Sequence, residues 1–329
     1  MSVPIIAAEW LRSRLSFEEL IDPVAHAFDA SSAGKADNGL IVLFPLTDRR
    51  RGDVYVKTGT LAGAPIYIVK VAPWFAENAE QAEPQGGFLA VFDSRTGRTL
   101  ALLDDQHYLS DIRTAAAGAL ASRWLAPASV RSASVLGSGV QAYWQTLALY
   151  RERQFETLQV WARDAAKATA LAARLAARLP GVDVCCESDL RRAVEMSDVL
   201  LTTTLSREPL VRGDWLRPGQ HVTAVGADDP TKCELDSAAL RRSRVFVDSI
   251  DAAAANGDVH RAIAAGTYRR DEIASEIGDV IAGRRIGRRS PDEITIAKFV
   301  GIGAQDLAAA RLAVEKAGIL HAHAQIDVE

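Results

Sequence analysis

Apolar and polar positions repeat with two different periods along the chain, and the changes of period divide it. Residues 7–31 carry apolar side chains at helical spacing and predict two short helices, the second with Leu20, Val24 and Phe28 on one face. Ser16 followed by Glu19 is a capping-box pattern at its start. Residues 31–38 are a loop by composition. From 39 to 103 the period falls to two, in the runs LIVLFPL, DVYVKTGTL, PIYIVKVAP, GGFLAVFD and RTLALLD, which predict a small, mostly antiparallel sheet. A helix over 105–126 stops at Pro127. Strands at 130–136, 158–161, 182–186, 198–203, 221–226 and 244–248 then alternate with helices at 139–153, 164–179 and 188–196, which argues a parallel sheet. Residues 249–283 read as helical and loop-rich, 293–299 as a strand, and Ala304–Ala317 as a helix. That last helix follows the parallel region in sequence, and whether it packs there or returns to the first domain is open.

The strand at 130–136 runs into Gly137-Ser138-Gly139 and then a helix with Tyr143, Leu147 and Tyr150 on one face. Gly137, Gly139 and Ala142 make a G-x-G-x-x-A pattern in the strand–turn–helix context of a dinucleotide site. The first glycine allows a tight turn, the second lets backbone approach a pyrophosphate, and the small third residue lets helix and strand pack closely. The expected fold class is α/β, a Rossmann-type doubly wound parallel sheet plus a smaller, mostly antiparallel α+β domain.

Composition narrows the partners. The 329 residues suggest about two domains, and 48% hydrophobic with 24% charged residues is ordinary for a globular enzyme. A net charge of −4 gives no reason to expect nucleic acid or an anionic membrane. No apolar run approaches the ~20 residues that span a bilayer. Glu9 and the lack of a long apolar stretch read against a secretory leader, and Cys185, Cys186 and Cys233 form no disulfide framework, so a cytoplasmic protein with reduced thiols is expected. No Cys/His spacing suggests a metal. The basic runs at 49–51, 241–244 and 284–289 read as solvated faces, and His321 and His323 as tail residues.

Four places could carry chemistry. The second parallel strand ends at Trp161, so Ala162 stands where an NAD enzyme places its ribose-binding acid, and Arg163 follows. This favours NADP(H); the alternative is that Asp164 serves NAD(H). Arg113, at or near a helix start, is either a fork for a substrate carboxylate or one half of a surface ion pair. Lys70 shares a strand face with Ile66 and Ile68, and is either a buried lysine of lowered pKa or an edge-strand lysine; Lys57 has the same ambiguity. The run HVTAVGADDP delivers Asp228 and Asp229 at a strand's carboxyl end, as a general acid/base or as a turn cap.

These motifs agree in one resemblance. KVAPWFAEN at 70–78, TGRTLALLD at 96–104, SDIRTAAAGALA at 110–121, VLGSGVQA at 135–142, HVTAVGADDPTKCELD at 221–236 and EITIAKFVGIGAQDLAAA at 293–310 resemble the ornithine cyclodeaminase/mu-crystallin family. The resemblance implies a substrate and dimerisation domain over 1–115 completed by 303–329, a dinucleotide-binding domain over 116–302, and a homodimer. It implies imine chemistry beside a carboxylate on a small imino or amino acid. Arg113 would hold the substrate carboxylate, Lys70 would polarise the substrate, and Asp228 would be the catalytic acid. Thr114 and the turn of Gly137, Ser138, Gly139, Val140 and Gln141 would face cofactor phosphates. Thr202, Thr203, Thr204 and Val225 would lie on the nicotinamide side. The strand before Lys70 departs from the cyclodeaminase pattern: its acid, Asp53, stands only at the start, and Lys57 is cationic. A cation there disfavours ornithinium and favours a neutral or dicarboxylic substrate. A net imino acid reductase is therefore the first expectation, a redox-neutral cyclodeaminase the second, and a non-catalytic NADP-dependent ligand-binding protein the third.

Overall fold

In the computed structural model, which describes residues 2–81 and 85–320, the strands β1 (Ile5–Ala7), β2 (Ala36–Leu43), β3 (Gly52–Leu61), β4 (Ile66–Phe75), β5 (Phe88–Asp93) and β6 (Thr99–Asp104) build one sheet. Its order is β1-β6-β5-β4-β3-β2. Only β1 pairs in parallel; the other neighbours are antiparallel. Alternation decides which face is covered: on β4, Ile66, Ile68, Lys70 and Ala72 are buried, and the residues between them are half-buried. Helices α1 (Ala8–Arg14) and α2 (Phe17–Ser32) bring Leu11, Leu20, Val24 and Phe28 into the core. Each such side chain stabilises the fold by roughly 1.5–3 kcal/mol. The expected capping box is present, the Glu19 carboxylate accepting the Ser16 N–H at 3.1 Å. Two short elements follow this pattern less plainly. β1 has three residues and forms only by pairing with β6. β2 begins at Ala36, inside the segment whose composition reads as a loop, because edge pairing with β3 from Ala36–Leu61 onward outweighs the local preference of Asp37 and Asn38.

After α3 (Ala76–Glu80) and α4 (Tyr108–Leu125), strands and helices alternate: β7 (Ser132–Leu136), α5 (Val140–Glu152), β8 (Thr157–Trp161), α6 (Ala165–Ala176), β9 (Asp183–Cys186), α7 (Leu190–Glu195), β10 (Val199–Thr202), β11 (His221–Ala224), α8 (Ser237–Arg242), β12 (Arg244–Val247), α9 (Ile250–Ala255), α10 (Gly257–Ala264), β13 (Ser275–Glu276), α11 (Ile277–Ile281) and β14 (Thr295–Lys298). All eight strands are parallel, in the order β13-β12-β14-β11-β10-β7-β8-β9. The chain leaves β7 in one direction through β8 and β9 and in the other through β10 and β11. That reversal is the topological switch point of a doubly wound sheet. β13 lies in the stretch read as helical and loop-rich, and β14 inserts between β11 and β12. Two basic runs are not solvated throughout: Arg244 is half-buried and donates to the carbonyls of Gly287 and Ile286, and Arg288 is half-buried and donates to the carbonyls of Leu125 and Gln220 and to the Thr295 hydroxyl, tying loop ends together.

The chain closes with α12 (Gly303–Lys316). By contacts the structure divides into two units, one of the residues up to Ala116 with those from Ile302, the other Ala117–Gly301. α12 packs on β2, β3 and β4 of the first unit. The approach is so close that a Cβ on Gly59 would lie 2.3 Å from the Gly303 carbonyl oxygen, and one on Gly303 would lie 1.8 Å from that of Thr58. No described helix is long and apolar enough to cross a membrane. His321 and His323 lie outside the described residues.

Candidate active site

In the first unit, three distant parts of the sequence meet on one carboxylate. β3 and β4 are interior strands, so neither Lys57 nor Lys70 is an edge lysine. Both are buried, and the antiparallel register sets them directly opposite each other. Like charges so placed repel. Asp306, in the first turn of α12, sits against them: its Oδ1 accepts from Lys70 Nζ at 3.0 Å and from Arg113 Nε, on α4, at 2.9 Å. Arg113 is therefore buried, not half of a surface pair. Its terminal nitrogens have no hydrogen-bond partner among the described residues, so Asp306 orients the guanidinium and leaves its two-pronged edge available. Asp53 and Tyr55 lie on the same buried face of β3 as Lys57.

Electrostatics follow from this packing. Burial works to raise the Asp306 pKa, but Arg113, Lys70 and Lys57 together outweigh it and hold the carboxyl well below its usual range. Burial lowers the pKa of Lys70, with Asp306 opposing and Arg113 adding to the effect. Asp105 is pushed up by burial, against the pull of Lys70. It caps α4 by accepting the Leu109 N–H at 3.0 Å. Gln106 and His107, with φ of 46° and 67°, make the left-handed turn that follows it.

Two histidines, His107 half-buried and His221 fully buried, give a measurable signature. His107 Nε2–H donates to the Pro73 carbonyl at 2.6 Å, and burial, helped by the charge of Lys70, pushes its pKa down to about 4. In the second unit His221 lies between the hydroxyls of Thr295 and Thr223, and burial, with Arg288, pushes it down to about 3. Both are neutral in the fold, whereas in the unfolded chain they protonate near pH 6.5. The unfolded state then binds more protons, so stability is fully present above about pH 6.5 and is lost as pH falls toward 4. The expected slope is up to ~1.4 kcal/mol per pH unit for each histidine. Urea unfolding at pH 7, 6 and 5 checks this, and His221→Gln should remove about half of the slope.

In the second unit the glycine turn lies between β7 and α5. Gly137 has φ 130°, and a Cβ there would lie 2.4 Å from the Thr203 hydroxyl, so no other residue fits without displacement. Gly139 caps α5, and a Cβ on it would meet nothing within 4 Å, which leaves open approach to the helix N-terminus. Ala142 is fully buried, as close packing of helix on strand demands. Val140 is exposed beside the turn, and Ser138 and Gln141 flank it. Thr203 ties the end of β10 to that of β7, its N–H and hydroxyl both donating to the Leu136 carbonyl, at 2.9 and 3.1 Å. At the end of β8, Asp164 is occupied as the cap of α6, accepting from the N–H groups of Ala166 and Lys167, while Arg163 is exposed. Thr114, in the first unit, donates to the Ser110 carbonyl one helical turn back.

Past β11, after Val225, the two aspartates differ in their partners. Asp229 is the cap: its Oδ1 accepts from the Thr231 N–H and hydroxyl and from the Lys232 N–H. Asp228 is half-buried and pairs with Lys232 Nζ at 2.7 Å. The described residues contain no group of three or more His, Cys, Asp or Glu placed to hold a metal.

Residues 5–319 match the model of the ornithine cyclodeaminase/mu-crystallin family. The chain belongs to that family. An uncharacterized cyclodeaminase of Sinorhizobium fredii is 40% identical over 269 residues, 81% of each chain. The Δ1-pyrroline-2-carboxylate reductase of Thermococcus litoralis, solved with NADH and L-proline, is 29% identical with a TM-score of 0.90 and covers 97% of this chain and 98% of its own. An archaeal alanine dehydrogenase dimer with bound NAD is 29% identical with a TM-score of 0.88, covering 96% of both chains. The family thus holds imino acid reductases, amino acid dehydrogenases and cyclodeaminases.

Two buried acids of this family member escape a reading of the sequence. Asp306 lies in the QDLA segment and Glu234 in the ELD segment, both of which carry the resemblance. A helical acid beside glutamine and alanines looks solvated, and only the folded chain shows each at the centre of a hydrogen-bonded cluster. The one local signal was the Gly-Ile-Gly at 301–303 ahead of Asp306, which marks a close backbone approach.

Proposed function

We propose that this chain is an NADP(H)-dependent oxidoreductase that reduces a small α-imino acid, of the ketimine or pyrroline carboxylate type, or runs the reverse dehydrogenation of an amino acid. The observation that carries it is the buried Arg113, oriented through Nε by Asp306 and with its terminal nitrogens unpartnered among the described residues. A guanidinium in that state fits one carboxylate in the two-pronged manner. Lys70, held by the same Asp306 and lowered in pKa by burial, polarises the substrate next to that carboxylate. Asp228 delivers or removes the proton on the substrate nitrogen. A bound nicotinamide would supply or accept the hydride at the substrate Cα.

The residues present fit such a cofactor. The open approach at Gly139 and the N-terminus of α5 suit a pyrophosphate. Gly137, Ser138, Val140 and Gln141 complete that turn, with Thr114 as a further phosphate contact. Thr203, Thr204 and Val225 stand at the strand ends where the nicotinamide half belongs. The use of Asp164 as a helix cap leaves Arg163 as the charged group at the ribose position, which supports NADP(H) over NAD(H). Lys57, opposite Lys70, supports a neutral or dicarboxylic side chain over ornithine. We also read the chain as a homodimer through the outer face of the six-stranded sheet, where Ile41, Leu43 and Phe88 are exposed.

The test is oxidation of NADPH by the purified protein with a panel of cyclic and acyclic α-imino acids, with NADH in parallel. Oxidation by at least one member, faster with NADPH, is the expected result. Ammonia release from ornithine without net cofactor change, and no oxidation with any imine, would replace this reading by cyclodeamination. Equal or faster turnover with NADH would overturn the cofactor preference alone.

A further inference from the structure

Where the carboxyl ends of β10 and β11 lie side by side, a fully buried carboxylate is held without a cation of its own among the described residues. Glu234 Oε1 accepts from the Thr204 N–H at 2.6 Å and the Thr204 hydroxyl at 2.9 Å. Its Oε2 accepts from the Thr202 hydroxyl at 2.8 Å and the Gly226 N–H at 2.9 Å. Neutral donors thus fill the four acceptor directions of the group, and each oxygen takes one backbone N–H, which can only donate. The cation packed nearby is Lys298, whose Nζ lies 3.2 Å from Asp258 Oδ2 and donates to the Ala227 carbonyl at 2.5 Å. Asp258 Oδ1 accepts the N–H groups of Glu234 and Leu235, at 2.5 and 2.8 Å. Lys298 and Asp258 are both buried and balance each other, so the cluster holds two acids against one base. The pKa of Glu234 is raised, by burial first and by Asp258 second, with Lys298 and the donors of Thr204 and Thr202 offsetting only part of the rise. Donation from both strand ends is the arrangement that favours the charged form.

The location gives this charge a role. In a sheet of this order the adenosine ribose falls at the end of the second strand, here β8, so the nicotinamide half of a dinucleotide falls over β10 and β11. The inference rests on the cofactor reading above. We propose that Glu234 sets the balance between the two redox forms of the bound nicotinamide, its buried negative charge beneath the strand ends favouring the cationic oxidised ring over the neutral reduced one. The charge acts through the Thr204 and Gly226 amides that it polarises, and through space in a region of low dielectric.

The experiment is calorimetric or fluorescence titration of wild type and Glu234→Gln with the oxidised and the reduced form of the preferred cofactor. Glutamine keeps the size of the side chain and an acceptor for one strand end, but loses the charge. The ratio of the Kd for the oxidised form to that for the reduced form is expected to rise about tenfold. A purely structural role weakens both forms by the same factor. Asp258→Asn provides a second route: Glu234 stays, Lys298 is left unbalanced beside it, and the ratio should move the same way. It carries the test if Glu234→Gln does not fold. A ratio unchanged within a factor of two, whether or not both affinities fall, would overturn the proposal. Wild-type protein that binds neither form would overturn the cofactor reading, and this inference with it.

Discussion

Asp306→Asn is expected to lower the free energy of unfolding by about 3–5 kcal/mol, the range for breaking a buried ion pair by removal of one partner. Asp306 is 1% exposed, and Lys70 and Arg113 both bond to the same oxygen. Asparagine can accept from one of them but cannot offset two buried charges, with Lys57 contributing a third nearby. Under the proposed function, kcat/KM also falls at least a hundredfold, because a misplaced guanidinium no longer presents its terminal nitrogens. Urea unfolding at pH 7 and steady-state kinetics check both effects. Adding Lys70→Met to Asp306→Asn should restore part of the stability and none of the activity, the non-additivity expected of groups in contact. If Asp306→Asn unfolds within 1 kcal/mol of wild type, the carboxylate is not what holds the two cations.

Asp228→Asn is expected to leave the fold and the cofactor Kd within about twofold of wild type while lowering kcat by 10²- to 10⁴-fold, the range for loss of a positioned acid/base. The separation follows from how the loop is held. Gly226 is fixed by Glu234, Ala227 by Lys298, and the turn beyond by Asp229. The Asp228 side chain makes none of these four bonds and pairs with Lys232 Nζ. Asparagine keeps the size and can still accept from Lys232, but it does not titrate. Single-turnover kinetics with the best imino acid measures the chemical step, and an unchanged rate would remove Asp228 from the reaction.

Much of this was legible in the sequence. The glycine turn, the alternating strands and helices, and the placing of Lys70 on one strand face with Ile66 and Ile68 follow from local spacing, and the structure has them as read. What was not legible depends on neighbours far away in the chain. An edge lysine and an interior lysine share one local pattern, and only the order of strands separates them. Asp228 and Asp229 are adjacent, and which of them caps is decided by the turn at Thr231 and Lys232. Arg288 sits in a basic run that looks solvated, yet its partners at Leu125 and Gln220 draw it inward. Asp306 is the clearest case: its partners lie 193 and 236 residues earlier, and no local period records that.

That separation has a consequence for biosynthesis. Asp306 leaves the ribosome 193 residues after Arg113, roughly 10–40 s later at ordinary rates of synthesis. Throughout that interval the six strands and their two lysines exist without the helix that covers them. Ala117–Gly301, by contrast, carries its own apolar clusters and needs nothing from the last segment to complete them. The half of the protein translated first is thus the half that matures last. In the meantime its nascent sheet lacks the cover of α12, and limited proteolysis of stalled chains should find it sensitive until that helix has been made.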